Sequence, residues 1–378
     1  MIGFSLEPFD TLFFRDGTPF SSESASQDEV GGLFPPSPLT VVGALKAALA
    51  RCQGWDGYSA WSDELKAVLG CGDDPGCLTF IGPIVAHEVA HKGDFLYPMP
   101  RHVVGEVIQD KWTPRGFLSP GPPVCCDLGD QVRLPQLVSS ADSTDHTFEP
   151  TNDMWVTATG FSKILQHQLP AEGDVIEPPW RQEVRVGLER DDSTRTAKEG
   201  LLYTARHVRL KSEVKLIVYI DGIPDGWKVP HNSIVPLGGE SRVSFCGQWD
   251  KELSFDGQVD KAIAEGRVAL IALTPIDLDE KVITGREPIP NLAGSVSVIS
   301  ACIDRHQRIG GWDSVNRGPL PLRSLLPAGS VLFCTTDSPK EFGASLAGTR
   351  GYLSIGNRTE YGFGLVALTT WSEQGQGE

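Results

Sequence analysis

The 378-residue chain contains no CxxC pair, no GxxxxGK[ST] phosphate loop and no GxGxxG opening a helix. Its eight cysteines are loosely spaced or adjacent, as in Cys71/Cys77 and Cys125/Cys126, which is not the spacing of a structural zinc site. The missing phosphate loops argue against a nucleotide pocket. No apolar run reaches the ~20 residues a membrane span needs, and Met1-Ile-Gly-Phe-Ser-Leu-Glu-Pro8 has neither a basic nor a hydrophobic leader region. The expectation is a reduced, cytoplasmic, soluble protein that meets no membrane and carries no cofactor or metal.

Net basic charge is also missing. The formal charge is −16, whereas nucleic-acid binding leaves a basic footprint. The distribution is uneven. Residues 184–211 carry net +3, residues 301–323 net +2 and residues 350–361 net +1, so the rest of the chain carries −22. An acidic body with basic strips can hold a defined strand locally and repel unspecific nucleic acid. The same strips can equally pair with the protein's own carboxylates.

Glycine (41) and proline (28) are abundant, which favours short strands and loops over long helices. The first stretch, Ile2 to Phe14, reads as a strand entering a turn at Arg15-Asp16-Gly17. Thr40 is placed to cap a helix over Val41–Arg51. Strand, loop and helix in this order begin a ferredoxin-like unit. Leu78–Val85 and Phe95–Val104 read as further strands. Residues 105–153, with prolines at 114, 120, 122, 123 and 135 and a Ser/Thr/Asp run, read as an irregular insertion. Met154–Leu169 reads as a helix. The second half is β-rich: Glu183–Arg190 and Gly200–Leu210 form a hairpin with a polar tip, and Val214–Ile220 lacks alternation and is expected to be a central strand. Helices are expected over Val259–Glu265 and Pro339–Leu346.

Chemistry-bearing candidates are few. His87-Glu88-Val89-Ala90-His91 matches HExxH, which needs a helix to bring both imidazoles to one zinc ion. Gly82-Pro83 before it and Gly93 after it point to a strand end and loop instead. His207 lies beside Arg206 and Arg209 and would suit a general base in RNA cleavage. The hairpin tip combines Thr194, Thr196, Arg195 and Lys198, residue types that contact nucleic-acid backbones. Glycines crowd around isolated arginines near the C-terminus: Arg308 with Gly310 and Gly311, and Arg358 with Gly356 and Asn357 inside Gly351–Gly364. Glycine there lets backbone amides approach an anionic polymer. Trp312, Tyr352 and Tyr361 could stack bases, while Phe363 reads as core.

Several segments together resemble a known family. They are Leu6–Phe20, Phe34–Leu45, Val186–Arg190 with Thr196–Tyr203, Gly310–Asp313 through Pro327–Phe333, and the Gly351–Gly364 stretch. They look like the third subunit of the Cmr complex, a RAMP-superfamily protein of type III-B CRISPR effector complexes. The resemblance implies an α+β fold of two ferredoxin-like, RRM-related RAMP domains, divided as residues 1–180, carrying the loop-rich insertion, and residues 181–378, carrying the glycine-rich loop. It implies a non-catalytic scaffold that holds the 5′ handle of the CRISPR RNA and docks the large cyclase/polymerase-like subunit and the first backbone RAMP subunit, meeting target RNA only indirectly. The RNA contacts expected are Arg15, Arg190, Thr194, Arg195, Thr196, Lys198, Arg206, Arg308, Gly310, Gly311, Gly356, Asn357 and Arg358, with no catalytic residue. The alternatives are a RAMP endoribonuclease using His207 or His306, the equivalent subunit of a type III-A (Csm) complex, and a zinc hydrolase at His87/His91.

Overall fold

The computed structural model describes the chain apart from residues 16–28, 31, 73, 91, 127–128, 139–147, 152–153, 191–192, 314–317 and 373–378. Two compact units form, and they interleave along the sequence. The first comprises Met1–Lys92, Pro179–Asp250 and Arg308–Ser324; the second comprises Gly93–Pro178, Lys251–Gln307 and Leu325–Glu378. A split into consecutive halves at residue 180 is not what is seen, because the first strand of the chain takes both its partners from residues beyond 210.

The first unit is built on an antiparallel sheet whose strands lie in the order Thr79–Val89, Val214–Asp221, Ile2–Pro8, Val243–Gln248 and Ser233–Pro236. Val214–Asp221 is interior, as its unalternating apolar run implies: Leu216, Ile217, Val218 and Ile220 are all at most 1% exposed. The helix runs Pro38–Cys52 and buries Val41, Leu45 and Leu49. Its N-cap is Ser37, not Thr40. Pro38 accounts for the earlier start, since a first-turn residue needs no intrahelical N–H partner.

The second unit repeats this layout. Its strands lie in the order Val296–Cys302, Val331–Thr336, Arg267–Ala272, Leu365–Thr369 and Tyr352–Ser354, again antiparallel. Counting the four main strands of each unit along the chain, both sheets read second, third, first, fourth, and each adds one edge strand beside the fourth. In the second unit the helix Pro339–Ser345 links third strand to fourth, and its Phe342 is fully buried. In the first unit turns and the edge strand Ser233–Pro236 fill that link, and no helix forms over residues 222–232. The helix Val259–Glu265 begins and ends where expected.

Within residues 105–153 the described part is not irregular; the Ser/Thr/Asp run at 139–147 lies outside the described residues. Lys111–Cys126 pairs with Val103–Ile108 and with Gly129–Leu137, and Glu149–Pro150 adds an edge. Register shifts fall at Pro120/Pro123 and at Val124/Cys126. Bulges of this kind let strands carry prolines that cannot donate to the ladder. Met154–Leu169 is likewise shorter as a helix. Trp155–Thr157 is a strand paired to Leu96–Pro98, and the helix is Ala158–Leu165, with the Thr157 hydroxyl accepting from Gly160 N at 3.2 Å.

Candidate nucleic-acid interface

The expected hairpin is Trp180–Arg190 paired with Ala197–Leu210. Its register sets Val184 opposite Arg206, Glu183 opposite His207 and Arg181 opposite Arg209. Because strand side chains alternate, Glu183, Arg185, His207 and Arg209 share one face. Val184, Val186, Leu188 and Arg206 share the other, where the three aliphatic side chains are more than half exposed. The tip exposes Thr194, Arg195 and Thr196; the two threonine hydroxyls lie 2.8 Å apart, and Arg195 has a left-handed backbone at φ +57°. Arg190 and Lys198 are on the strands, and their side chains lie outside the described part of the structure, as does that of Trp312.

The N-terminal segment runs alongside this hairpin. Leu12 bridges Val208, Glu29–Val30 pairs with Thr204–Ala205, and Arg15 bridges Gly32. A Cβ on Gly32 would sit 2.4 Å from the Arg206 carbonyl oxygen, so only glycine lets this backbone approach. Arg15, exposed, and Arg206, which donates to Gln182 at 2.7 Å, are thereby brought to one neighbourhood.

The ion-paired face carries a network that sequence reading did not find. Glu183 accepts from Arg185 at 2.8 Å and from Arg209 at 2.7 Å. Those bonds, Arg209 first, hold its carboxyl down at about 2. Asp10 lies beyond, also held below the usual carboxylate range by Arg209 and then Arg185, with Arg242 3.4 Å away. The signal in the sequence was the basic strip at 184–211, but the cross-strand register and the return of Asp10 and Arg242 to it are long-range facts.

His207 is only 1% exposed. Its Nδ1 is 3.2 Å from the Thr11 hydroxyl and its Nε2 3.0 Å from Glu240. Burial lowers its pKa, against the opposing pull of Glu240, and both ring nitrogens are occupied inside the protein. His306 is exposed. His87 and Glu88 are successive residues of the strand Thr79–Val89, so the HExxH letters do not lie on a helix; His91 is outside the described residues. Among the described residues, no three His, Cys, Asp or Glu side chains gather as a metal would need.

The glycine–arginine segments near the C-terminus serve local folding. Gly310 and Gly311 lie in the strand Gln307–Asp313, paired with Gly318–Leu325. Cβ atoms there would sit 3.1 Å from Leu322 Cδ2 and 2.9 Å from Leu320 Cδ1, so the glycines make room for the facing leucines. Arg308, on the same strand, is exposed. In the second unit the amides of Asn357 and Gly364 donate to the carbonyls of Asp277 and Pro275, and those of Tyr361 and Gly362 to Arg358 and Thr359. These four amides face the protein and form no cradle. Arg358 lies 3.1 Å from Asp277 and 4.6 Å over the ring of Phe363, which is buried as expected. Gly356, Asn357 and Arg358 belong to the second unit, whereas the other ten expected contacts belong to the first.

The family model described as "CRISPR-associated protein (Cas_Cmr3)" matches residues 4–371, and the chain belongs to that family. It is 42% identical over 60 residues to the "CRISPR system CMR subunit Cmr3" of Saccharolobus solfataricus strain P2, a match spanning 16% of this chain and 19% of that relative. Its fold is similar to a chain in the cryo-EM structure of the type III-B Cmr-beta bound to cognate target RNA and AMPPnP, with a TM-score of 0.50 and 18% identity over 88% of this chain and 86% of the other. A second cryo-EM structure, of Cmr-beta bound to cognate target RNA, aligns at a TM-score of 0.47 and 17% identity, covering 88% of this chain and 86% of that chain. No helix among the described residues is long and apolar enough to cross a membrane.

Proposed function

We propose that this chain is the non-catalytic CRISPR RNA-binding subunit of a type III-B effector complex, holding the 5′ handle of the guide and docking the large cyclase/polymerase-like subunit and the first backbone RAMP subunit. Each unit is read as a divergent ferredoxin-like RAMP domain, because both sheets share the second-third-first-fourth strand order that a βαββαβ path produces. The observation that carries the reading is the family match over residues 4–371. The middle hairpin supports it by presenting Arg195, Thr194 and Thr196 at an exposed tip. The exposed tip suits phosphate contacts, which need cations and hydroxyls that solvent, and hence RNA, can reach.

Burial of His207 weighs against it as the general base of the endoribonuclease reading, since such a base must come within hydrogen-bond reach of the proton it takes; His306 is exposed. The test is direct. Replacing Arg195 and Lys198 together with alanine is expected to weaken guide retention in the purified complex and to lower the log–log salt slope by about 1.4, about 0.7 for each cation. Unchanged retention overturns the assignment of the tip. Incubating the purified protein with repeat RNA is expected to yield no cleavage; metal-independent cutting would make it a processing nuclease.

A further inference from the structure

Three arginines from three separate elements close on one carboxylate at the bend after the first strand. Arg209 donates to Asp10 Oδ1 at 2.8 Å, Arg185 to Oδ2 at 3.2 Å and Arg242 to Oδ2 at 3.4 Å. Asp10 is half exposed and each guanidinium is partly exposed. Phe9, the residue before it, is 61% exposed, and its amide donates to the Val243 carbonyl at 3.4 Å, next to Arg242 in the chain. The turn leading to Arg242 keeps two successive non-glycine residues, Glu240 and Ser241, at φ +54° and +55°. Such backbone is uncommon and persists where surrounding contacts impose it.

One guanidinium is enough to pin a bend, and exposed ion pairs add little stability because water competes for both partners. Convergence of three has another use. A phosphodiester offers a guanidinium fork the same pair of anionic oxygens as a carboxylate does. An exposed aromatic residue next in the chain to that carboxylate offers an unpaired base a stacking face. The charges around the bend balance: Arg185, Arg209 and Arg242 stand against Asp10, Glu183 and Glu240. These three arginines are therefore each matched by a carboxylate at rest.

We propose that the Phe9–Asp10 bend, with Arg185, Arg209 and Arg242, is a further single-stranded RNA site in which the Asp10 carboxylate holds a phosphate position until RNA displaces it. The ligand is one unpaired nucleotide step, its base on Phe9 and its phosphate on the arginines. The site rests on the RNA-binding reading above but uses none of the residues assigned there.

The test titrates the full-length protein with a short fluorescent single-stranded RNA at several salt concentrations. Asp10→Asn is expected to tighten binding and to steepen the log–log salt slope by about 0.7 for each arginine released. Glu64→Gln, which removes an exposed carboxylate on another element, changes net charge equally and is expected to leave both unchanged. Phe9→Ala is expected to weaken binding about fivefold or more. Asp10→Asn behaving as Glu64→Gln does, with Phe9→Ala matching the unaltered protein, overturns the site; loss of binding in the Arg195/Lys198 variant of the same series would then leave the hairpin-tip reading standing. No binding by any protein, Asp10→Asn included, overturns both. Altered retention of a protein subunit in the purified complex with unaltered RNA binding shows the bend to be a protein contact and overturns it as an RNA site.

Discussion

His102 shows how a single buried side chain sets a pH response. It is 4% exposed beside Phe117 and Phe333, and its Nδ1 is a buried nitrogen with no hydrogen-bond partner. Burial drives its pKa from 6.5 down to about 3. The unfolded chain therefore binds a proton that the folded chain refuses between those values, and stability falls as pH drops from 6.5 toward 3. Glu183 acts lower. Its depressed carboxyl contributes stability above its ordinary value of 4.5, and that contribution is lost as pH falls toward about 2. His102→Leu is expected to flatten the upper part of the profile. Thermal melts at pH 7 and pH 5 check it, and a variant whose melting temperature falls with acid as steeply as the unaltered protein's would remove His102 as the cause. Neither group's role could be read from the sequence, where His102 is one of eight scattered histidines.

At the scale of elements, the loop closing the second unit is a folding device. Gly364 holds φ at +71°, and a Cβ there would lie 1.9 Å from the Ile355 carbonyl oxygen. Gly364→Ala combines left-handed strain with a backbone clash, and is expected to cost more than the ~1–3 kcal/mol of strain alone. A chemical-denaturation midpoint close to that of the unaltered protein would refute this. Elements with a strong local signature were legible. The helix Val259–Glu265, the interior strand Val214–Asp221 and the long hairpin follow from apolar period and turn residues. The segment 105–153 was not, because its prolines read as loop punctuation. Only pairing across bulges, with Pro120 opposite Pro135, reveals strands. The same limit hid the Asp10–Arg209 cluster: the individual residues were visible, but the register that assembles them was not.

For the whole molecule, interleaving has a mechanical consequence. A fragment ending at residue 180 contains Ile2–Pro8 and Thr79–Val89 but lacks Val214–Asp221, the strand between them. It would expose unpaired strand edges and lose the most buried strand of the first unit. Residues 1–180 expressed alone are expected to show no cooperative unfolding transition by circular dichroism, and a cooperative transition would show that the interleaving is dispensable. By itself the sequence determined the mixed α+β class, the basic strips within an acidic chain, and through its scattered short motifs the family, because composition, period and turn chemistry act over a few neighbours. Tertiary structure alone decided which strands pair, that the C-terminal glycines pack against their own unit, and that three arginines meet on Asp10. Each of those depends on contacts between residues tens to hundreds of positions apart, and local propensity carries no record of them.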